Sequence, residues 1–238
     1  MRSYTIQGRE VRLPVVVRDA SSGAATYLID ARAARRLVPE AFEVAEVWPG
    51  KALFSLAVID YRDNDLGDYH EVSITFFVRR RGERRNPLAT IGDFFRGALP
   101  TYIRHLPVDQ GFTREAGETI WGFPKTVQRI DWERRPERVT CALHMDGQHV
   151  LTLSLPAGGA RALPEQHLTT YSLIDGRPHA TPFTSKAEGA GFHLGGAELS
   201  LGAHPIADEL RSLGLPKKAL MTMWMERMQG TFEEARPI

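Results

Sequence analysis

The chain has 238 residues, 42% of them apolar and 25% charged, a composition that excludes wholesale disorder and supports a buried core. Its 30 Lys+Arg stand against 29 Asp+Glu. That balance leaves no basic field for a phosphate backbone and argues against a nucleic-acid partner. Arginine dominates the cations: the lysines are only Lys51, Lys125, Lys186, Lys217 and Lys218.

The single cysteine, Cys141, excludes an intramolecular disulfide. It alternates with Val139 and Leu143, the pattern of a small core residue. The first residues lack a signal-peptide apolar region, the longest early apolar stretch being residues 13–17. No segment approaches the ~18 apolar residues of a membrane span. A soluble, cytoplasmic chain with no membrane partner, forming one domain over residues 1–238, is expected.

In chain order, Asp30 is a good N-cap for a short helix over residues 31–37, which Pro39 ends. Residues 51–60 (KALFSLAVID) form an apolar run of strand length. Residues 71–78 (EVSITFFV) alternate and are rich in β-branched and aromatic types. The Arg-rich stretch 79–86 (RRRGERRN) carries no aromatic residue for base stacking and reads as a solvated loop between two strands. A short helical piece fits around residues 110–116. Strands follow over residues 126–132, 138–145 and 149–155, with Asp146-Gly147 as a hairpin turn. Residues 171–174 and 179–183 form a second hairpin around Asp175-Gly176. Short strands are expected over residues 188–194 and 197–201. Pro205 opens a helix over residues 206–213, and Gly214 closes it. In residues 219–232 Met221, Met223 and Met225 fall on one face at period two, opposite Thr222 and Trp224, which predicts a strand. About ten strands and two or three short helices make the fold mainly β (α+β). Hairpin spacing suggests an antiparallel sheet curled into a barrel or cone, because closure removes edges.

Several motifs carry nothing. Gly189-Ala190-Gly191 lacks the third glycine and the βαβ setting of a dinucleotide fingerprint. His144, Asp146 and His149 have metal-like spacing, but Asp146 belongs to the hairpin turn and the histidines flank it. No nucleophile elbow and no zinc-protease motif is present. No metal and no cofactor is implied.

The informative segment is residues 117–126, GETIWGFPKT. Lys125 follows Ile120, Trp121, Gly122, Phe123 and Pro124, an apolar setting unlike that of a solvated lysine. Burial of an ammonium favours its neutral form and lowers its pKa, and a neutral amine attacks ketones and aldehydes. A depressed Lys125 pKa is therefore expected. Trp121 and Phe123 are expected in the wall of a pocket around it.

This segment resembles the active-site signature of the acetoacetate decarboxylase family, G-R-E-x-x-[GA]-[YF]-P-K-K. Residues 26–44 (TYLIDARAARRLVPEAFEV), 65–71 (DLGDYHE), the stretch from Leu173 through Arg177 onward, and residues 197–216 (AELSLGAHPIADELRSLGLP) resemble other parts of the family in the same order. The resemblance implies that Lys125 is the Schiff-base lysine and Glu71 a pocket glutamate. Glu118 and Tyr102 are further substrate-binding candidates. Arg18, two positions off the ungapped register, is the nearest match to the family's pocket arginine. The departures are informative. Thr126 replaces a second lysine, Glu118-Thr119 replaces Arg-Glu, and no carboxylate stands near Ser55 or Leu56.

The expected activity is a Schiff-base lyase acting on a small keto acid or related carbonyl compound, by decarboxylation or by aldol or dehydration chemistry. The alternative is a barrel that binds a small apolar molecule non-covalently, lined by Met221, Met223, Met225, Trp121 and Trp224. A homo-oligomer is expected in either case.

Overall fold

The apolar run at residues 51–60 is a strand because both of its faces are covered, one by a second sheet and one by the interior of a closed ring. The computed structural model describes residues 2–83 and 86–238. A hairpin, β1 (Ser3–Ile6) and β2 (Arg9–Arg12), precedes the long β3 (Val15–Asp30). Then come α1 (Ala31–Ala34), β4 (Phe42–Val44), β5 (Glu46–Trp48), β6 (Lys51–Asn64), β7 (Tyr69–Arg80) and α2 (Pro87–Phe95). Next are β8 (Thr101–Val108), α3 (Gly111–Trp121), β9 (Lys125–Val127), β10 (Arg129–Arg135), β11 (Arg138–Met145) and β12 (Gln148–Pro156). The chain ends through β13 (Arg161–Ile174), β14 (Arg177–Leu194), β15 (Glu198–Leu201), α4 (Pro205–Ser212), β16 (Met221–Phe232) and β17 (Arg236–Pro237).

Seven strands close a ring in the order β7-β6-β3-β16-β14-β13-β8, with β8 pairing back onto β7. The seam between β13 and β8 is parallel and short, Thr170 facing Thr101 and Tyr171 facing Tyr102. The fold is mainly β, with a curled sheet and four short helices among the described residues. A second sheet, β10-β11-β12-β15, packs on the outside of the ring. Its Cys141, Leu143, Leu151 and Leu153 join Tyr27, Phe54, Leu56 and Phe76 of the ring in one fully buried core. A second core, including Ile6, Val11, Phe112, Ile120 and Trp121, seats the β1–β2 hairpin and α3 over one end of the ring.

Local chemistry explains most elements. The Asp30 carboxylate accepts from the Ala33 amide at 2.9 Å and caps α1. Asp146-Gly147 and Asp175-Gly176 all take positive φ, as tight hairpin turns require. Residues 219–232 are a strand as expected. Thr222 and Trp224 are buried on one side, and the methionines face the ring interior on the other.

Several expectations differ. Residues 79–86 do not join two strands. Arg79 and Arg80 end β7, and Asn86 caps α2, its side chain accepting from Ala89 N at 2.8 Å. Arg79 is buried on Asp93 at 2.9 Å, and Arg84 and Arg85 lie outside the described residues. Its Leu88, Ile91 and Phe95 stand at helical spacing but are exposed. Residues 179–183 and 188–194 belong to one strand, β14, paired to β16 in one unbroken register from Phe183 to Leu194. Helix α3 continues past residue 116 to Trp121. Among the described residues no helix is long and apolar enough to cross a membrane.

Candidate active site around Lys125

Helix α3 delivers Lys125. Its N-cap Gln110 accepts from Thr113 N at 2.7 Å, and its amide holds Leu66 O at 3.0 Å. At its C-terminus Gly122 takes φ +63, the left-handed conformation that ends helices and favours glycine. A Cβ there would lie 2.7 Å from Ile174 Cγ1 and 2.8 Å from Leu173 O. Phe123 and Pro124 then turn the chain into β9, whose first residue is Lys125, opposite Leu106 of β8. The lysine side chain runs back across α3 at Gly117. A Cβ on Gly117 would stand 2.6 Å from Lys125 Cδ and 2.9 Å from Cε.

Glu71 arrives from β7, on the far side of β8. Two strand spacings, roughly 10 Å, separate the two backbones, and the long lysine side chain closes the gap. Lys125 Nζ lies 2.8 Å from Glu71 Oε2, and it donates to Thr113 Oγ1 at 2.9 Å and Tyr69 OH at 3.3 Å. Three acceptors match the three donors of an ammonium. Nζ also stands 4.7 Å from the Tyr69 ring centroid. Tyr61 stacks on Tyr69 at 4.4 Å. Lys125 is 4% exposed and Glu71 7%.

Burial is the largest influence on the Lys125 amine and lowers its pKa, as expected from sequence. The Glu71 carboxylate and then Tyr69 act the other way, and the net direction is up from the ordinary 10.5. The expected depressed value is corrected accordingly: a carboxylate 54 positions earlier in the chain meets the amine. Burial likewise raises the Tyr61 and Tyr69 hydroxyls, Tyr61 well above the tyrosine range, so both stay neutral.

The amine faces a cavity of about 250 Å³. Trp121 and Phe123 line it, stacked at 5.7 Å, and Trp121 Nε1 donates to Glu233 O at 2.8 Å. Among its described lining residues Lys125 is the one cation and Glu71 the one carboxylate. The structure thus brings together Lys125, Glu71, Trp121 and Phe123. It places three other candidates elsewhere. Arg18 lies on the outside, paired with Asp63 at 2.8 Å and Asp65 at 2.7 Å. Alternation along β3 sends Val17 inward and Arg18 outward. Glu118 points out from α3 to Arg114 at 2.6 Å. Tyr102 packs on Phe42 at 5.7 Å, away from the cavity lining. Tyr61, Tyr69, Thr113 and Gly117 were not singled out from sequence. The only signal for them was position: Tyr69 two residues before Glu71 on one strand face, Thr113 and Gly117 four apart on one helix.

The family model for acetoacetate decarboxylase matches residues 8–232. The chain belongs to the acetoacetate decarboxylase family. Solved structures share its fold at low identity. Acetoacetate decarboxylase from Legionella pneumophila is 16% identical, with a TM-score of 0.69, covering 97% of this chain and 90% of that one. The enduracididine biosynthesis enzyme MppR complexed with pyruvate is 17% identical, with a TM-score of 0.63, covering 95% and 91%. An acetoacetate decarboxylase-like enzyme from Sphingomonas wittichii is 12% identical, with a TM-score of 0.56, covering 97% and 96%. No curated protein matches the sequence. Against the family signature, Thr126 is exposed on β9, outside the lysine's cavity. His144 and His149 face each other across their hairpin at 5.5 Å, each on its own partner, Asp131 and Thr152. Among the described residues no group of three or more His, Cys, Asp or Glu side chains is placed to hold a metal ion.

Proposed function

We propose that this protein is a lyase-type enzyme in which Lys125 forms an imine with a keto acid or related carbonyl compound. The observation that carries this is a buried lysine at the end of an apolar cavity, 2.8 Å from a single carboxylate. Glu71 takes a proton from the ammonium, which turns a buried ion pair into a neutral amine and a carboxylic acid. Nζ then adds to the carbonyl carbon, water leaves, and a protonated imine remains. That cation withdraws the electron pair of the adjacent breaking bond, giving an enamine. Protonation of the enamine and hydrolysis of the imine free the product and regenerate the amine. Glu71 and the neutral Tyr69 hydroxyl are within reach of Nζ to carry protons.

The cavity's charge inventory supports aldol, retro-aldol or dehydration chemistry over loss of CO2. With Glu71 as its one carboxylate, no second one stands to repel a leaving carboxylate, and Arg18 is too far out to hold one. The relative MppR has been solved with the condensation product of pyruvate and imidazole 4-carboxaldehyde, which is consistent with this preference.

The test is borohydride reduction in the presence of pyruvate, acetoacetate or acetone, followed by peptide mass analysis. A reduced adduct on Lys125 that disappears in Lys125→Ala is expected. Absence of any adduct, together with a co-purified ligand whose binding is indifferent to Lys125→Ala, would establish non-covalent binding in its place.

A further inference from the structure

A second cavity, of about 350 Å³, lies along the ring interior beyond the first. The two share Thr101, Leu168, Thr170, Phe183, Ser185 and Met225 as wall, so they are chambers of one bore. Inward positions at period two trace it. On β7 they run Glu71, Ser73, Thr75, Phe77, and on β6 Tyr61, Ile59, Ala57, Ser55, from the lysine end to the far chamber. Six residues of strand span roughly 20 Å.

The far chamber exists because small side chains stand where large ones would fill it. Ala24 pairs with Ala57 on one side and Met223 on the other, and Thr26 pairs with Ser55. No described residue of its lining is charged; its polar groups are hydroxyls and Gln166. Met221, Met223 and Met225 supply a flexible apolar wall. At its outer rim Phe95 is 70% exposed and Phe192 38%, apolar surface left at the edge of an uncharged chamber. Together the chambers reach the size range of ligand pockets, roughly 300–1,000 Å³, more than acetone or pyruvate requires.

We infer that the far chamber binds an extended, uncharged apolar chain, alkyl or aryl, attached to the carbonyl that reacts at Lys125. This rests on the imine reading and narrows its substrate class. A charge held inside the chamber is disfavoured by desolvation, since nothing in its described lining pairs with it.

The experiment measures borohydride trapping on Lys125 across acetone, methyl propyl ketone, methyl hexyl ketone and benzylacetone, with calorimetric binding of the same ketones in parallel. Half-saturating concentration is expected to fall roughly three- to fourfold per added methylene until the bore is full. Ala24→Phe, and independently Met223→Trp, should cut the ratio of long-chain to acetone affinity at least tenfold, with folding checked by thermal melts. Trapping with no dependence on chain length overturns the chamber assignment and leaves the imine. Chain-length-dependent binding without trapping supports the chamber and overturns the imine. Neither trapping nor binding overturns both.

Discussion

The same strands present two opposite surfaces. On β6 and β7 the outward residues Phe54, Leu56, Val58, Val72, Ile74 and Phe76 are buried against the second sheet. The inward residues include Ser55, Ala57, Ser73 and Thr75, and they line open space. Stability is concentrated in the first surface, where large side chains interlock at solid-like density. The proposed chemistry belongs to the second, where small ones leave room around Lys125 and Glu71. Period-two alternation lets a single strand serve both without compromise.

The comparison predicts which lesions cost activity and which cost folding. The largest effect is Lys125→Ala, which should reduce trapping and turnover to background. It also strands Glu71 as an unpaired buried charge, at roughly 3–5 kcal/mol of stability. The double variant Lys125→Met/Glu71→Gln should recover most of that stability and none of the activity, as denaturant melts and peptide mass analysis would show. On the packed surface, Phe54→Ala should lose roughly 3–5 kcal/mol in chemical denaturation, with the extent of trapping per folded molecule unchanged. Activity loss exceeding the unfolded fraction would break the division between faces.

Gly117→Ala places a methyl into the path of the Lys125 side chain. Displacement of the amine by about 1 Å should cost roughly 10²-fold in trapping rate, with a melting temperature near that of the wild type. The pH dependence is the next sharpest test. Because Glu71 raises the Lys125 value, the stability from this pair is fully present below the ordinary lysine value of 10.5. It is lost as pH rises through the raised value. In Glu71→Gln, burial acts with less opposition, so the pH midpoint of trapping should move down; an unmoved midpoint would remove Glu71 from the amine's control. The smallest effect belongs to Ser73→Ala on the bore face. It removes one hydrogen bond to Thr75, 2.6 Å long, and should change stability by no more than about 1.5 kcal/mol.

Much of this was legible in the residues. Alternation marked most strands, Asp-Gly pairs marked the hairpins, and Asp30 and Pro205 marked two helix starts. Apolar sequence before Lys125 singled out that lysine. Residues 51–60 were readable as a strand, but a run apolar on both faces does not say which face looks into a cavity. Helix α2 was missed although Asn86 caps it and Pro87 opens it, because it directly follows the Arg-rich stretch that reads as loop, and Arg18 was misplaced by one step of alternation relative to its inward neighbour Val17.

Sequence alone marked many of the elements, the resemblance to a family and the lysine proposed to react, because turn chemistry, periodicity and local apolarity act over a few positions. Ring closure decided the rest. It joins β7 to β8 and carries Glu71 and Tyr69 to an amine more than fifty residues away in the chain. Whether that amine rests charged or neutral is set by which groups share its dry surroundings, and only the tertiary fold assembles them.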